Sequence, residues 1–310
     1  MSTPIALAMA AASSCLYFLG IVLFRNAAAA LPPLRGTRPV HFAVSVLTSS
    51  VWLAGGIVMA GGMALQFAAL TRLSLAALVP ALLCGLVVLV LLPAVLPGER
   101  LSRVELSCLA VMASAGMVIA WSGPGTPPPV PAQVPVLLAV PSLVIPVLIF
   151  SLGDARPEGQ HARPLTGIAY GLSAGILIGL AELALGLLAR EGLTPSALAT
   201  PLPYLFALAV ACGIAQIQIG LQRCRMIIMV FVATVVAKVY LVVTGGLLCL
   251  GSDVTPFSAP WLLVPGLVLL SAVLFLTPRY ETSRQAALAA EPSRTVTRRH
   301  PGPPPPYPSP

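Results

Sequence analysis

Residues 46–96 read VLTSSVWLAGGIVMAGGMALQFAALTRLSLAALVPALLCGLVVLVLLPAVL and carry a single charged side chain, Arg72. A helix needs about 20 predominantly apolar residues to cross the hydrocarbon of a bilayer. The stretch is long enough for two crossings, and Thr71-Arg72-Leu73 is the break between them. It predicts a tight helical hairpin with spans at 46–70 and 74–96. Lipid offers no hydrogen-bond partners, so each crossing must satisfy its own backbone, as helices do. A transmembrane barrel would show alternating segments of about 10 residues, whereas these runs are continuous.

Outward from the hairpin the same pattern recurs at 3–24, 104–121, 133–152, 166–189, 201–221, 226–249 and 257–277. The expected fold class is an all-α polytopic membrane protein with nine transmembrane helices. Composition agrees: of 310 residues, 58% are hydrophobic and 8% charged, and the mean hydropathy is +0.97. Soluble proteins carry roughly 25% charged residues. A soluble enzyme, a secreted disulfide scaffold and a disordered chain are thereby excluded.

Orientation follows from the basic residues. With nine spans and the N-terminus outside, all but three of the 17 basic residues fall on inner segments. The exceptions are Arg72 and Arg190 in outer loops and Lys238 within a span. Such a bias sets N-out, C-in by the positive-inside rule. Residues 1–24 lack a basic leading segment and carry too long an apolar run for a cleaved signal, so they are read as the first span. The net charge of +8 reflects this topology and an attraction to anionic lipid, and calls for no nucleic acid.

Catalytic and metal-binding signatures are missing from the sequence. The six cysteines show no CxxC spacing, and the three histidines fall outside the expected spans. No Ser/His/Asp order or phosphate-cradling glycine loop is legible. The chain is therefore read as a non-enzyme with no cofactor and no metal. From about residue 278 the chain gains charges and ends PGPPPPYPSP, which reads as a disordered or polyproline tail.

Residues 60–72 and 211–223 align without a gap and share five identities: Ala60, Gly62, Ala64, Leu70 and Arg72 meet Ala211, Gly213, Ala215, Leu221 and Arg223. Each segment lies in the second helix of a group of four. The chain then parses as a 4+1+4 inverted repeat: a first quartet over 1–121, a connector over 122–165, a second quartet over 166–277 and the tail over 278–310. Arg72 falls outside and Arg223 inside, as inversion requires. Inverted repeats related by an in-plane axis characterise secondary transporters, with the site near the midplane. The alternative is a duplication with a purely structural outcome.

Within the spans a few residues stand out. Gly167, Gly171, Gly175 and Gly179 recur every fourth residue and form one stripe, expected to serve helix packing. Glu182 falls in the same arc, about 10 Å below the outer end of its helix. Lys238 lies about 16 Å below the outer end of the eighth span, with Thr234 and Gly245 on its face. Buried charges of this kind must find a partner, a cavity or a proton. Glu182 and Lys238 are expected to lie at the central cavity, close enough to interact. Two roles stay open: a substrate or proton site, or an ion pair that fixes packing. Gln66 and Gln216 share faces with Gly62 and Gly213 and are further candidates for substrate contact, while Gln218 points elsewhere. Pro80, Pro141 and Pro146 are expected to kink their helices.

Residues 52–121 resemble the drug/metabolite transporter superfamily, EamA-like in type. A glycine-rich helix leads through a small-residue turn to a helix with central Pro80, then Gly98-Glu99-Arg100, and a final helix ends in the small-rich segment 116–119. Residues 166–248 resemble the matching part of the second half. The nine spans and long first loop are most similar to the NIPA-like branch, which is linked to magnesium transport. The chain departs from the pattern after the eighth span, where Gly251-Ser252-Asp253 stands in place of Gly-Glu-Arg. A magnesium path prefers carboxylates and carbonyls, and Lys238 offsets the one deep acid, so magnesium is not carried over. A neutral cavity suits a zwitterionic or amphipathic metabolite exchanged for protons.

The expected function is thus a secondary-active carrier of a small metabolite or cation; the alternative is a non-transporting membrane scaffold. Expected partners are a small-molecule or ion substrate and membrane lipid, with a homodimer left open and no nucleic acid. The expected location is a cell membrane, of the bacterial cytoplasmic type.

Overall fold

The computed structural model describes residues 2–32, 34, 39–73, 75–91, 101–121, 133–154, 165–192, 194–223, 225–248 and 260–290. Among them the fold is all-helical. The helices are α1 (Thr3–Ala30), α2 (Pro39–Leu47), α3 (Ser50–Leu70), α4 (Leu75–Cys84), α5 (Val87–Leu91), α6 (Arg103–Trp121), α7 (Gln133–Asp154), α8 (Leu165–Glu191), α9 (Pro195–Leu198), α10 (Leu202–Arg223), α11 (Met226–Leu248) and α12 (Leu263–Ala290). Six of them, α1, α3, α6, α8, α10 and α11, are long and apolar enough to cross a membrane. The chain is a multi-pass membrane protein.

Of the other three expected spans, one is interrupted. Residues 74–96 were expected as one helix, but α4 ends at Cys84 and α5 begins at Val87. At the break Leu86 N–H bonds Leu83 O and Val88 N–H bonds Gly85 O, both at 3.0 Å. These i→i+3 bonds tighten the backbone out of α geometry. The break falls at Gly85 because α1 presses on it: a Cβ there would lie 2.7 Å from the Phe18 ring. Pro80, the expected kink, sits inside α4, and Pro141 and Pro146 sit inside α7. Helix α7, Gln133–Asp154, covers the expected span 133–152, and α12 is helical through the part of the expected span 257–277 that begins at Leu263. The α12 helix runs on to Ala290, so its last residues are helical where the sequence reading expected the disordered tail to begin. The run Arg284-Gln285-Ala286-Ala287-Leu288 explains this, being composed of strong helix formers. Residues 291–310 and the Gly98-Glu99-Arg100 and Gly251-Ser252-Asp253 sites lie outside the described residues.

Local chemistry starts the helices. Ser49 caps α3 by accepting from Trp52 N–H at 3.3 Å. At α6 a capping box closes: Ser102 N–H donates to Glu105 Oε2 at 2.7 Å, and Glu105 N–H donates to Ser102 Oγ at 3.2 Å. Packing then sorts the helices by depth. In α8 and α11, 78% and 72% of the spanning residues are buried, against 33–50% for the other four spans. These two helices are the centre of the bundle, and apolar side chains such as Ile57 and Phe275 face outward.

Helix α1 packs on α3 and α4, and α4 on α6; helix α8 packs on α10 and α11, and α11 on α12. Across the bundle α1 meets α10, α3 meets α8, α4 meets α11 and α6 meets α12. The connector α7 lies against α8 and is tied to α11 by a 2.7 Å hydrogen bond between the Ser142 and Tyr240 hydroxyls.

Candidate functional site

The site starts from the glycine stripe of α8. A Cβ on Gly171 would lie 2.8 Å from Val232 Cβ, one on Gly175 2.7 Å from Val236 Cβ, and one on Gly179 2.7 Å from the Tyr240 ring. Both sets of residues step by four, so α8 and α11 run parallel and in register with their backbones in close approach. The surroundings of Gly167 and Gly245 lie outside the described residues. Glu182 follows this stripe on α8, and Lys238 sits between the Val236 and Tyr240 contacts on α11. The register leaves Glu182 about 7 Å nearer the C-terminal end than Lys238. Helical side chains tilt toward the N-terminus, so the Glu182 carboxylate leans back toward the Lys238 level.

The two charges meet there. Lys238 Nζ donates to Glu182 Oε1 at 2.7 Å and to Oε2 at 2.6 Å. Glu182 is 9% exposed and Lys238 4%. Both line a cavity of about 110 Å³ whose walls come from α1, α3, α8, α10 and α11. Thr234, one turn before Lys238, is also in the wall, together with Tyr17, Met59 and Ile217. The remaining lining is almost entirely apolar. The cavity thus holds a fixed acid and a fixed amine that cancel each other, set against hydrocarbon and aromatic surface.

The two glutamine candidates are elsewhere. Gln66 is fully buried, and neither end of its amide has a hydrogen-bond partner among the described residues. Gln216 is buried against α8 and α7: its amide touches the Ser173 hydroxyl, which donates to Pro146 O at 2.8 Å. The Ser173 hydroxyl is thus shared between two acceptors, Pro146 O and Gln216 Oε1. Neither glutamine is among the residues lining the cavity. Gln218 is also fully buried and, among the described residues, without a partner.

Other polar contacts were missed by the sequence reading. Arg225 Nη1 lies 2.6 Å from Glu105 Oε1, and Glu105 is 3% exposed. The Ser102-x-x-Glu105 spacing was a legible signal for the cap, but nothing local pointed to Arg225. Tyr17 and Met59 carried no signal, because their helices are apolar on every side. Among the described residues no cluster of three His, Cys, Asp or Glu side chains has the arrangement of a metal site.

Searches against protein-family models, curated proteins and solved structures find no match to this chain. The site must therefore be read from its own geometry.

Proposed function

We propose that the chain is a secondary-active carrier of the drug/metabolite transporter type, moving a small metabolite or cation across a membrane by alternating access. The observation that carries this reading is the Glu182–Lys238 pair in the wall of an otherwise apolar cavity lined by helices from both halves of the chain. Buried intramembrane charges are rare and mark substrate or proton pathways. Because the pair cancels itself, a ligand of no net charge enters at least cost, and a zwitterionic or amphipathic metabolite fits best. Protonation of Glu182 would release Lys238, which makes proton exchange the coupling in this reading.

The finer architecture we propose is nine crossings in a 4+1+4 inverted repeat, N-out and C-in. The helix contacts support it. Exchanging α1 with α8, α3 with α10, α4 with α11 and α6 with α12 maps the helix contacts named above onto one another. The pairs α4/α11 and α6/α12 then lie on the pseudo-two-fold axis, as expected for two halves that rock about a midplane site.

One observation favours the alternative of a non-transporting scaffold: Glu182 and Lys238 pair directly with each other, as a packing pair would. Reconstitution separates the two readings. The purified chain is screened by thermal shift for a stabilising metabolite or cation, and that ligand is then assayed for flux in proteoliposomes. Saturable flux that is lost in Glu182→Gln supports the carrier. No flux with any stabilising ligand overturns it.

A further inference from the structure

Near one end of the cavity lies a group of polar contacts that the pair above does not involve. They gather where α1 ends, α6 begins and α10 turns into α11. The last carbonyls of a helix have no partner within it. At the end of α1 these carbonyls are met by Gln222, from the end of α10. Its amide nitrogen lies 3.3 Å from Ala28 O, 3.4 Å from Leu31 O and 3.0 Å from Pro32 O, and its amide oxygen accepts from Leu34 N–H at 2.8 Å. Arg25 Nη1 donates to Leu221 O alongside. Next to them Arg225 pairs with Glu105, whose other oxygen is held by the α6 capping box.

Each of these contacts joins a residue of 1–121 to one of 166–277. Two residues at this end also reach the cavity: Leu221 is in its wall, and so is Met229, one turn beyond Arg225. The opposite end is built differently. There Ala6, Ala10, Leu70 and Leu78 pack against Leu185 and Ala189 in an apolar cluster.

We propose that the Glu105–Arg225 pair and the Gln222 amide form a clasp that shuts the cavity on this face of the membrane and parts to admit or release ligand. The chemistry suits a gate. The Arg225 side chain is 23% exposed, so the clasp borders water. Its ionic and amide groups exchange protein partners for water at small net cost when they separate. An apolar seal of the same extent would have to expose hydrocarbon. This inference rests on the carrier reading for the purpose of the motion, but not for the motion itself.

The test reads access to the cavity without any substrate. Val230 lines the cavity five residues after Arg225. In the full chain with its native cysteines changed to serine, Val230→Cys is exposed to a membrane-impermeant methanethiosulfonate from each face in turn. From the clasp face, Glu105→Gln is expected to label about tenfold faster than its parent, a shift of the closed population toward open. Gln222→Ala, which leaves the ion pair intact, shifts the rate in the same direction and stands in should Glu105→Gln not accumulate. The exchange Glu105→Arg with Arg225→Glu restores the slow rate. Unchanged labelling from the clasp face in both single variants, or an equal rise from both faces, overturns the clasp. Saturable wild-type flux with unresponsive labelling discards the clasp and keeps the carrier. Responsive labelling in a chain without flux keeps the clasp and discards the carrier.

Discussion

The Lys238 ammonium is forked across both oxygens of the Glu182 carboxylate, at 2.7 and 2.6 Å, between the two most deeply buried helices of the bundle. The fork uses two of the three ammonium protons and both carboxylate oxygens. Removing either partner strands a charge where lipid and apolar side chains cannot solvate it.

Glu182→Gln and Lys238→Met are each expected to destabilise the protein by about 3–5 kcal/mol, the cost of an uncompensated buried charge. The double variant Glu182→Gln/Lys238→Met is expected to recover most of that loss. Thermal unfolding in detergent measures both effects. Flux that stays absent in the stable double variant assigns the pair a functional role; flux that returns with stability makes it a packing pair.

The α8–α11 contact tolerates no added methyl. Gly175→Ala would bring its Cβ to 2.7 Å from both the Ala233 carbonyl and Val236 Cβ. Overpacking of this kind costs about 1–3 kcal/mol. Gly56 on α3 is the contrast, since a Cβ there meets nothing within 4 Å. Gly56→Ala is expected to be neutral or to stabilise by about 0.5–1 kcal/mol through helix propensity. Equal melting temperatures for the two variants would contradict the packing described here.

Gln66 is buried with an unsatisfied amide, so Gln66→Met, similar in volume, is expected to raise stability by about 1–3 kcal/mol. Stability that rises while flux falls would return Gln66 to the list of ligand contacts. A loss of stability would mean that the amide has a partner after all.

Nine crossings with the N-terminus outside place the C-terminus inside. A fluorescent protein fused after Pro310 is expected to mature, and alkaline phosphatase fused there to stay inactive, as the positive-inside rule requires. The opposite result contradicts nine crossings with the N-terminus outside.

Much of the architecture was legible in the chain because the solvent dictates it. A backbone in hydrocarbon must be helical, so long apolar runs located the six clear spans directly. The fourfold glycine spacing on α8 was legible as a packing stripe for the same kind of reason: helical periodicity is local. The break at Gly85 was not, because it depends on Phe18 and Ser14 of another helix. Gln66 and Gln216 were placed on plausible faces, but a face says nothing of what covers it. Gln216 is covered by Ser173, and Gln66 meets no hydrogen-bond partner among the described residues.

The sequence by itself determined that this chain lives in a membrane, that it is helical, and that an acid and an amine of opposite sign lie deep within it. These follow from composition and the cost of placing polar groups in lipid. Which charges meet is a matter of how the helices pack. Glu182 and Lys238 are 56 residues apart, and Glu105 and Arg225 are 120 apart. Pairing at such separations is set by helix packing, and apolar helices of near-uniform composition carry no local record of which neighbour they will face.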